Sequence, residues 1–138
     1  MDTLTGFGLL LVDDHPLFRD SFAMAIRQLA PDTDVVAVAS LPQARQCLAA
    51  HPERFDLVLG DYKLPGSNGL ICATQLRHEQ PAVAFGLISG EDDPRLPQLA
   101  RDAGLVAYLP KSLEMDSLLA ALQALARGAT VYATPDVP

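Results

Sequence analysis

The sequence predicts an α/β fold, (βα)5, in which five parallel strands form one doubly wound sheet with helices on both faces. Two observations carry that prediction. Short apolar runs alternate strictly with stretches of helical periodicity, and the runs are continuous instead of alternating apolar with polar. A continuous run rich in Val and Leu is what a strand buried on both faces requires. Strict alternation then implies right-handed crossovers within one parallel sheet. No internal repeat, low-complexity tract or linker interrupts the pattern, so the 138 residues read as one domain able to bury a core unaided.

The strands are expected at Phe7–Val12, Val35–Ala39, Leu57–Leu59, Val83–Ile88 and Val106–Leu109. After the first, Phe18, Phe22, Ala25 and Leu29 give an apolar stripe at helical spacing. Leu41, Ala44 and Leu48 follow Ser40, a favoured N-cap, with Pro42 tolerated in the first turn. Leu70, Ala73 and Leu76 follow Asn68, a second capping residue. The fourth helix is the weakest: Asp92 or Asp93 can cap it, but Pro97 costs a hydrogen bond anywhere past the first turn, so a short helix over residues 96–102 is expected. The last stripe, Met115, Leu118, Leu119, Leu122 and Leu125, is opened by Ser112 with the acidic Glu114 and Asp116 and closed by Arg127 and Gly128, leaving Ala120, Ala121 and Ala124 on its outer side. The domain is expected over residues 1–130. Residues 131–138 read as a tail or the start of a linker, and "ATVYATPDVP" is expected to fray.

Ten basic against seventeen acidic residues give a net charge of −7, which argues against nucleic acid or an anionic membrane as direct partner. Cys47 and Cys72 have no metal-ligand or CxxC spacing and read as small buried hydrophobes in a reducing compartment. No signal peptide or bilayer-length apolar run is visible, so a cytoplasmic protein is expected.

In a sheet of this kind ligands bind beyond the carboxyl ends of the strands. The first run ends in Asp13-Asp14, the third in Asp61, the fourth in Ser89 and the fifth in Lys111. Singly, each has an ordinary explanation as a helix cap, a turn residue or a solvated charge. Together they converge on one rim. Crowded carboxylates raise one another's proton affinity unless a cation holds them ionised, and hard oxygen ligands suit Mg²⁺ together with a phosphoryl group. Lys111 supplies a point charge for that group, Ser89 a donor, and Asp61 a candidate nucleophile that would form an acyl phosphate. His15, beside the acidic pair, is expected at the surface of a helix start, and His51 and His78 at helix ends.

On these residues, and over essentially its whole length, the chain resembles the receiver domain of a bacterial two-component response regulator. "VDDHPLFR", "AYLPKS" and "ARGATVY" are further similar to the NarL/FixJ (LuxR-type) group. The resemblance implies a flavodoxin-like sheet with strand order 2-1-3-4-5 and a Mg²⁺ cofactor. It implies Asp61 as phosphoacceptor, Asp14 and the backbone carbonyl of Lys63 as direct metal ligands, and Asp13 acting through water. It implies Lys111 as partner of the phosphorylated carboxylate, Ser89 as switch hydroxyl, and Tyr108 as an aromatic switch whose ring turns inward after phosphorylation. A sensor histidine kinase is the implied partner, with homodimerisation on phosphorylation and control of transcription through an output domain lying outside this chain. Such a protein catalyses only its own phosphorylation and dephosphorylation and is no enzyme in the usual sense.

Gly60, Lys63 and Pro97 depart from the commonest pattern, and Glu91 is placed to pair with Lys63. They motivate an alternative: a pseudo-receiver serving as a phosphorylation-independent interaction or dimerisation module. A flavin-binding protein or haloacid-type hydrolase of the same architecture fits less well, because "DDHP" repels a phosphate and is not Asp-x-Asp.

Overall fold

The computed structural model describes residues 4–64, 67–91 and 93–133. Its elements run β1 (Gly8–Val12), α1 (Pro16–Leu29), β2 (Asp34–Val38), α2 (Leu41–Ala50), β3 (Leu57–Asp61), β4 (Lys63–Leu64) and β5 (Ser67–Asn68). They continue with α3 (Gly69–Glu79), β6 (Ala84–Ser89), α4 (Leu96–Asp102), β7 (Ala107–Pro110), α5 (Met115–Ala126) and β8 (Val131–Tyr132). The main sheet is parallel throughout, in the order β2-β1-β3-β6-β7-β8. β4 and β5 form a separate antiparallel pair.

The continuous apolar strands do what their composition requires. Along β1, Leu9 and Leu11 enter one hydrophobic cluster while Leu10 and Val12 enter the other. The first cluster also holds Phe22 and Ile26 of α1 with Leu118 and Leu122 of α5. The second holds Leu48 of α2, Leu76 of α3 and Leu96 of α4. Helices therefore cover both faces of a doubly wound sheet. Leu9, Leu10 and Leu11 are all fully buried, each side chain contributing about 1.5–3 kcal/mol of transfer free energy.

Most boundaries follow the local chemistry expected of them. Ser40 accepts a hydrogen bond from the Gln43 N–H, and Asn68 accepts one from Leu70 at 2.8 Å. Pro97 sits in the first turn of α4, which spans Leu96–Asp102 as expected, and Gly128 closes α5 with φ +91°. The expected Asp cap of α4 is not found: Arg95 is its N-cap, without a side-chain cap bond, Asp93 accepts from the Arg95 N–H at 2.9 Å ahead of the helix, and Asp92 lies outside the described residues.

Four further expectations need correcting. The main sheet has six strands, not five: of the stretch expected to fray, Val131 and Tyr132 instead pair with Ala107 and Tyr108 of β7. Tyr132 also donates to the Leu105 carbonyl and lies under the Arg101 guanidinium, 4.5 Å from the ring centroid. The fold thus runs past residue 130, while residues 134–138 lie outside the described set. Leu29 is 53% exposed, since the buried arc of α1 is centred on Phe22, Ala23 and Ile26 and the last turn rotates Leu29 out of it. Of the three residues expected to open α5, Ser112 lies ahead of it, while Glu114 is its N-cap, without a side-chain cap bond, and Asp116 stands in its first turn. Ala121 faces the core, so the outer small residues of α5 are Ala120 and the half-buried Ala124.

Candidate functional site

Parallel register brings the ends of β1, β3, β6 and β7 to one rim. Backbone bonds fix the loops there: Asp13 N–H to the Val38 carbonyl at 3.0 Å, Tyr62 N–H to Ile88 at 2.9 Å, and Lys111 N–H to Ser89 at 2.8 Å. Gly69 lets the first turn of α3 pass over the backbone of Asp61 and Tyr62, where a Cβ would collide with the Asp61 carbonyl.

Asp13, Asp61 and Ser89 are buried to within 2% of full burial, and they make up three of the four buried polar residues described. Lys111 is what makes this tolerable. Its ammonium lies 2.8 Å from Asp13 Oδ2 and 3.2 Å from Asp61 Oδ2, with the Phe18 ring centroid 4.7 Å away. The Lys63 N–H donates to Asp61 Oδ1 at 3.3 Å. Burial still pushes the Asp61 carboxyl above its ordinary value; the Asp13 charge adds to this, while Lys111 and the Lys63 N–H pull it back. Ser89 Oγ accepts from the Glu91 N–H at 2.9 Å.

All the sequence-predicted site residues stand on this rim or directly behind it. Asp14 is partly exposed, and its Oδ1 is buried with no hydrogen-bond partner among the described residues. Tyr108 is fully buried in the second cluster, opposite Leu87 of β6 and Tyr132 of β8. Lys63 reaches outward and pairs with Glu91 at 2.8 Å, as its position suggested.

His15 stands at the exposed helix start expected of it, yet it also takes part in the site. As the N-cap of α1 it is more than half exposed, but its Nδ1 points into the acidic cluster. That atom is 2.9 Å from Asp13 Oδ1, 3.4 Å from Asp14 Oδ1 and 3.3 Å from Asp61 Oδ2. Its hydrogen bond to Asp13 raises the imidazole pKa, against the opposing charge of Lys111. The one available signal was adjacency: Asp13 Oδ1 also accepts the His15 N–H at 2.8 Å, and this tight turn swings the ring back over the pair.

The response regulator receiver domain profile matches residues 9–123. The chain belongs to the receiver domain family. Its relatives are response regulators of the LuxR type. It is 31% identical over 131 residues to the glycerol metabolism activator of Pseudomonas putida, covering 95% of this chain and 58% of that protein. It is 35% identical over 133 residues to the nitrate/nitrite response regulator NarL of Escherichia coli strain K12, covering 94% and 59%. The receiver thus spans about three fifths of the length of these relatives. Among solved structures, a LuxR-family two-component response regulator from Aurantimonas sp. SI85-9A1 superposes with a TM-score of 0.80 at 27% identity, covering 93% of this chain and 89% of that one.

The receiver's acidic cluster fits a divalent cation. One donor atom each from Asp13, Asp14, His15 and Asp61 lies within 4.8 Å of the others. The orphaned Asp14 Oδ1 is an acceptor that a cation would satisfy. Among the described residues, no helix is long and apolar enough to cross a membrane.

Proposed function

We propose that this receiver accepts a phosphoryl group on Asp61 from a phosphohistidine of a sensor kinase, and that the modification changes which partner its surface prefers. The observation that carries this reading is Lys111, held between two buried carboxylates with its ammonium against Asp61 Oδ2. An Asp61 oxygen attacks phosphorus, the phosphorus–nitrogen bond breaks, and the imidazole leaves with its electron pair. Lys111 neutralises the acyl phosphate formed and Ser89 donates to it, giving up its contact with the Glu91 N–H. Water later attacks phosphorus, the bond from phosphorus to the Asp61 oxygen breaks, and inorganic phosphate leaves with the carboxylate restored.

Asp14, Asp61 and the Lys63 carbonyl would hold Mg²⁺, with Asp13 acting through water. Bound there, the ion supplies charge neutralisation to the phosphoryl oxygens. Movement of Ser89 would be read by the strand carrying Tyr108, which pairs with the edge strand β8. A homodimer or an output domain that controls transcription is the reader this reading assigns, in a cytoplasmic setting.

The test is intact mass after incubation with acetyl phosphate and Mg²⁺. A gain of about 80 Da that is labile at alkaline pH and absent from Asp61→Asn is expected. No gain, or a gain that survives the substitution, overturns the reading. A specific observation favours the pseudo-receiver alternative: the Lys63–Glu91 pair spans the rim between the β3–β4 turn and the loop after β6. In that case the mass stays constant and partner binding is the same with and without acetyl phosphate.

A further inference from the structure

His15 stands out among the groups that the proposed transfer does not use. The receiver reading assigns the cation to oxygen donors alone, yet the atom with the most carboxylate neighbours in the cluster is a nitrogen. Its distances to Asp13 Oδ1, Asp14 Oδ1 and Asp61 Oδ2 are 2.9, 3.4 and 3.3 Å. Two donors on adjacent corners of an octahedron with metal–ligand bonds of about 2.1 Å lie about 3.0 Å apart. The imidazole nitrogen therefore stands at ligand-to-ligand spacing from three carboxylates, beside the Asp14 oxygen that lacks a hydrogen-bond partner.

The Lys111 ammonium also lies 3.3 Å from Nδ1, so a cation ligated there takes the place of that contact as well as of the Asp13 bond. A histidine that merely capped α1 would turn its side chain to the helix N–H groups or to water, but His15 makes no side-chain cap bond. Its backbone N–H is held by Asp13 Oδ1 at 2.8 Å, which fixes where the ring begins. The other histidines, His51 and His78, lie at the ends of α2 and α3 and have no place in the cluster.

We propose that His15 Nδ1 is a ligand of the divalent cation, making the centre a mixed nitrogen–oxygen site that prefers Co²⁺ or Ni²⁺ over Mg²⁺ more strongly than carboxylates alone would. The proposal rests on the receiver reading of the site. Ligation uses the neutral ring, its one proton on Nε2, and gives up the Nδ1 hydrogen bond to Asp13. An imidazole nitrogen suits the later first-row metals, whereas Mg²⁺ gains little from it. His15 thus sets which ion the site selects and leaves the nucleophile unchanged.

His15→Asn is the informative variant. Asn Oδ1 can occupy roughly the place of Nδ1 while exchanging nitrogen for oxygen, and Asn is a favoured N-cap, so α1 is preserved. Two readouts are taken on the whole chain without any phosphodonor. In the Mn²⁺-loaded protein, pulsed EPR is expected to show ¹⁴N modulation that converts to the ¹⁵N pattern on ¹⁵N-histidine labelling and disappears in His15→Asn. In competition titrations, the preference for Co²⁺ over Mg²⁺ is expected to fall about tenfold in the variant while Mg²⁺ affinity changes little. Metal binding without histidine modulation, or a preference that moves less than about twofold, overturns the role of His15 and leaves the phosphoacceptor reading standing. Failure of the wild-type protein to bind Mg²⁺ or Mn²⁺ at all overturns both.

Discussion

Two lysines stand on the same rim, each with an ammonium 2.8 Å from a carboxylate oxygen, and they differ in almost everything else. Lys111 is 17% exposed and faces Asp13 and Asp61, which are buried. Lys63 is 68% exposed and faces Glu91, itself 40% exposed. Around Lys111 water cannot take over if the pair breaks, and two carboxylates would be left charged in a desolvated pocket. Around Lys63 water replaces either partner at once, so the pair adds little to stability. Equal distances therefore describe unequal jobs. The buried lysine sustains a charged site, and the exposed one holds a solvated pair at its edge.

The largest expected effect comes from removing the buried cation. Lys111→Met should destabilise the metal-free fold by about 3 kcal/mol in urea titrations, with part of the loss recovered on adding Mg²⁺. A loss under about 0.5 kcal/mol would mean that Asp13 and Asp61 need no compensation. Removing a carboxylate should act in the opposite direction. The folded state holds the Asp61 proton to higher pH than the unfolded chain does, so that contribution is fully present in acid and is lost as pH rises through the folded pKa. Asp61→Asn should therefore raise Tm by roughly 2–5 °C near pH 7, and the gain should close as the pH is lowered through the carboxylate range. A gain independent of pH would point to a packing effect instead.

On the exposed side, Lys63→Ala should leave the thermal melt essentially unchanged. Opening the rim to water should nevertheless shorten the acyl phosphate half-life by about threefold, less than 1 kcal/mol of barrier, as followed by intact mass over time. An unchanged half-life would reduce the Lys63–Glu91 pair to a surface contact. Smallest of all, Gly60→Ala should be neutral to within about 0.5 kcal/mol, because a Cβ there meets no atom within 4 Å. Thermal melts of this variant calibrate how small an effect near the site can be while the buried charges remain intact.

The contrast between the lysines also marks where the sequence was legible. Strand ends could be read from continuous apolar runs, and the rim followed because polar residues terminate four of them. Helix stripes were readable where the buried arc is wide, as in α5, but the boundary of that arc was not, so Leu29 and Ala121 fell on the wrong sides. Burial depth was not legible either. Nothing local separates a lysine after "LP" that reaches inward from one after "DY" that reaches out; only the packing of β7 beside β6 decides it. The part of His15 in the site was missed because its direction depends on the turn that Asp13 makes with its backbone. β8 was missed because two residues carry no periodicity, and its pairing is set by the edge that β7 leaves open.

The central claim is that this buried, lysine-compensated rim exists to carry a phosphoryl group on one of its three carboxylates. Borohydride reduction of the phosphorylated receiver, followed by peptide mass spectrometry, tests it directly, because an aspartyl phosphate is converted to homoserine where it formed. The account predicts homoserine at position 61 and unmodified aspartate at Asp13 and Asp14. Homoserine at either of those positions, or none anywhere after exposure to acetyl phosphate and Mg²⁺, would contradict it.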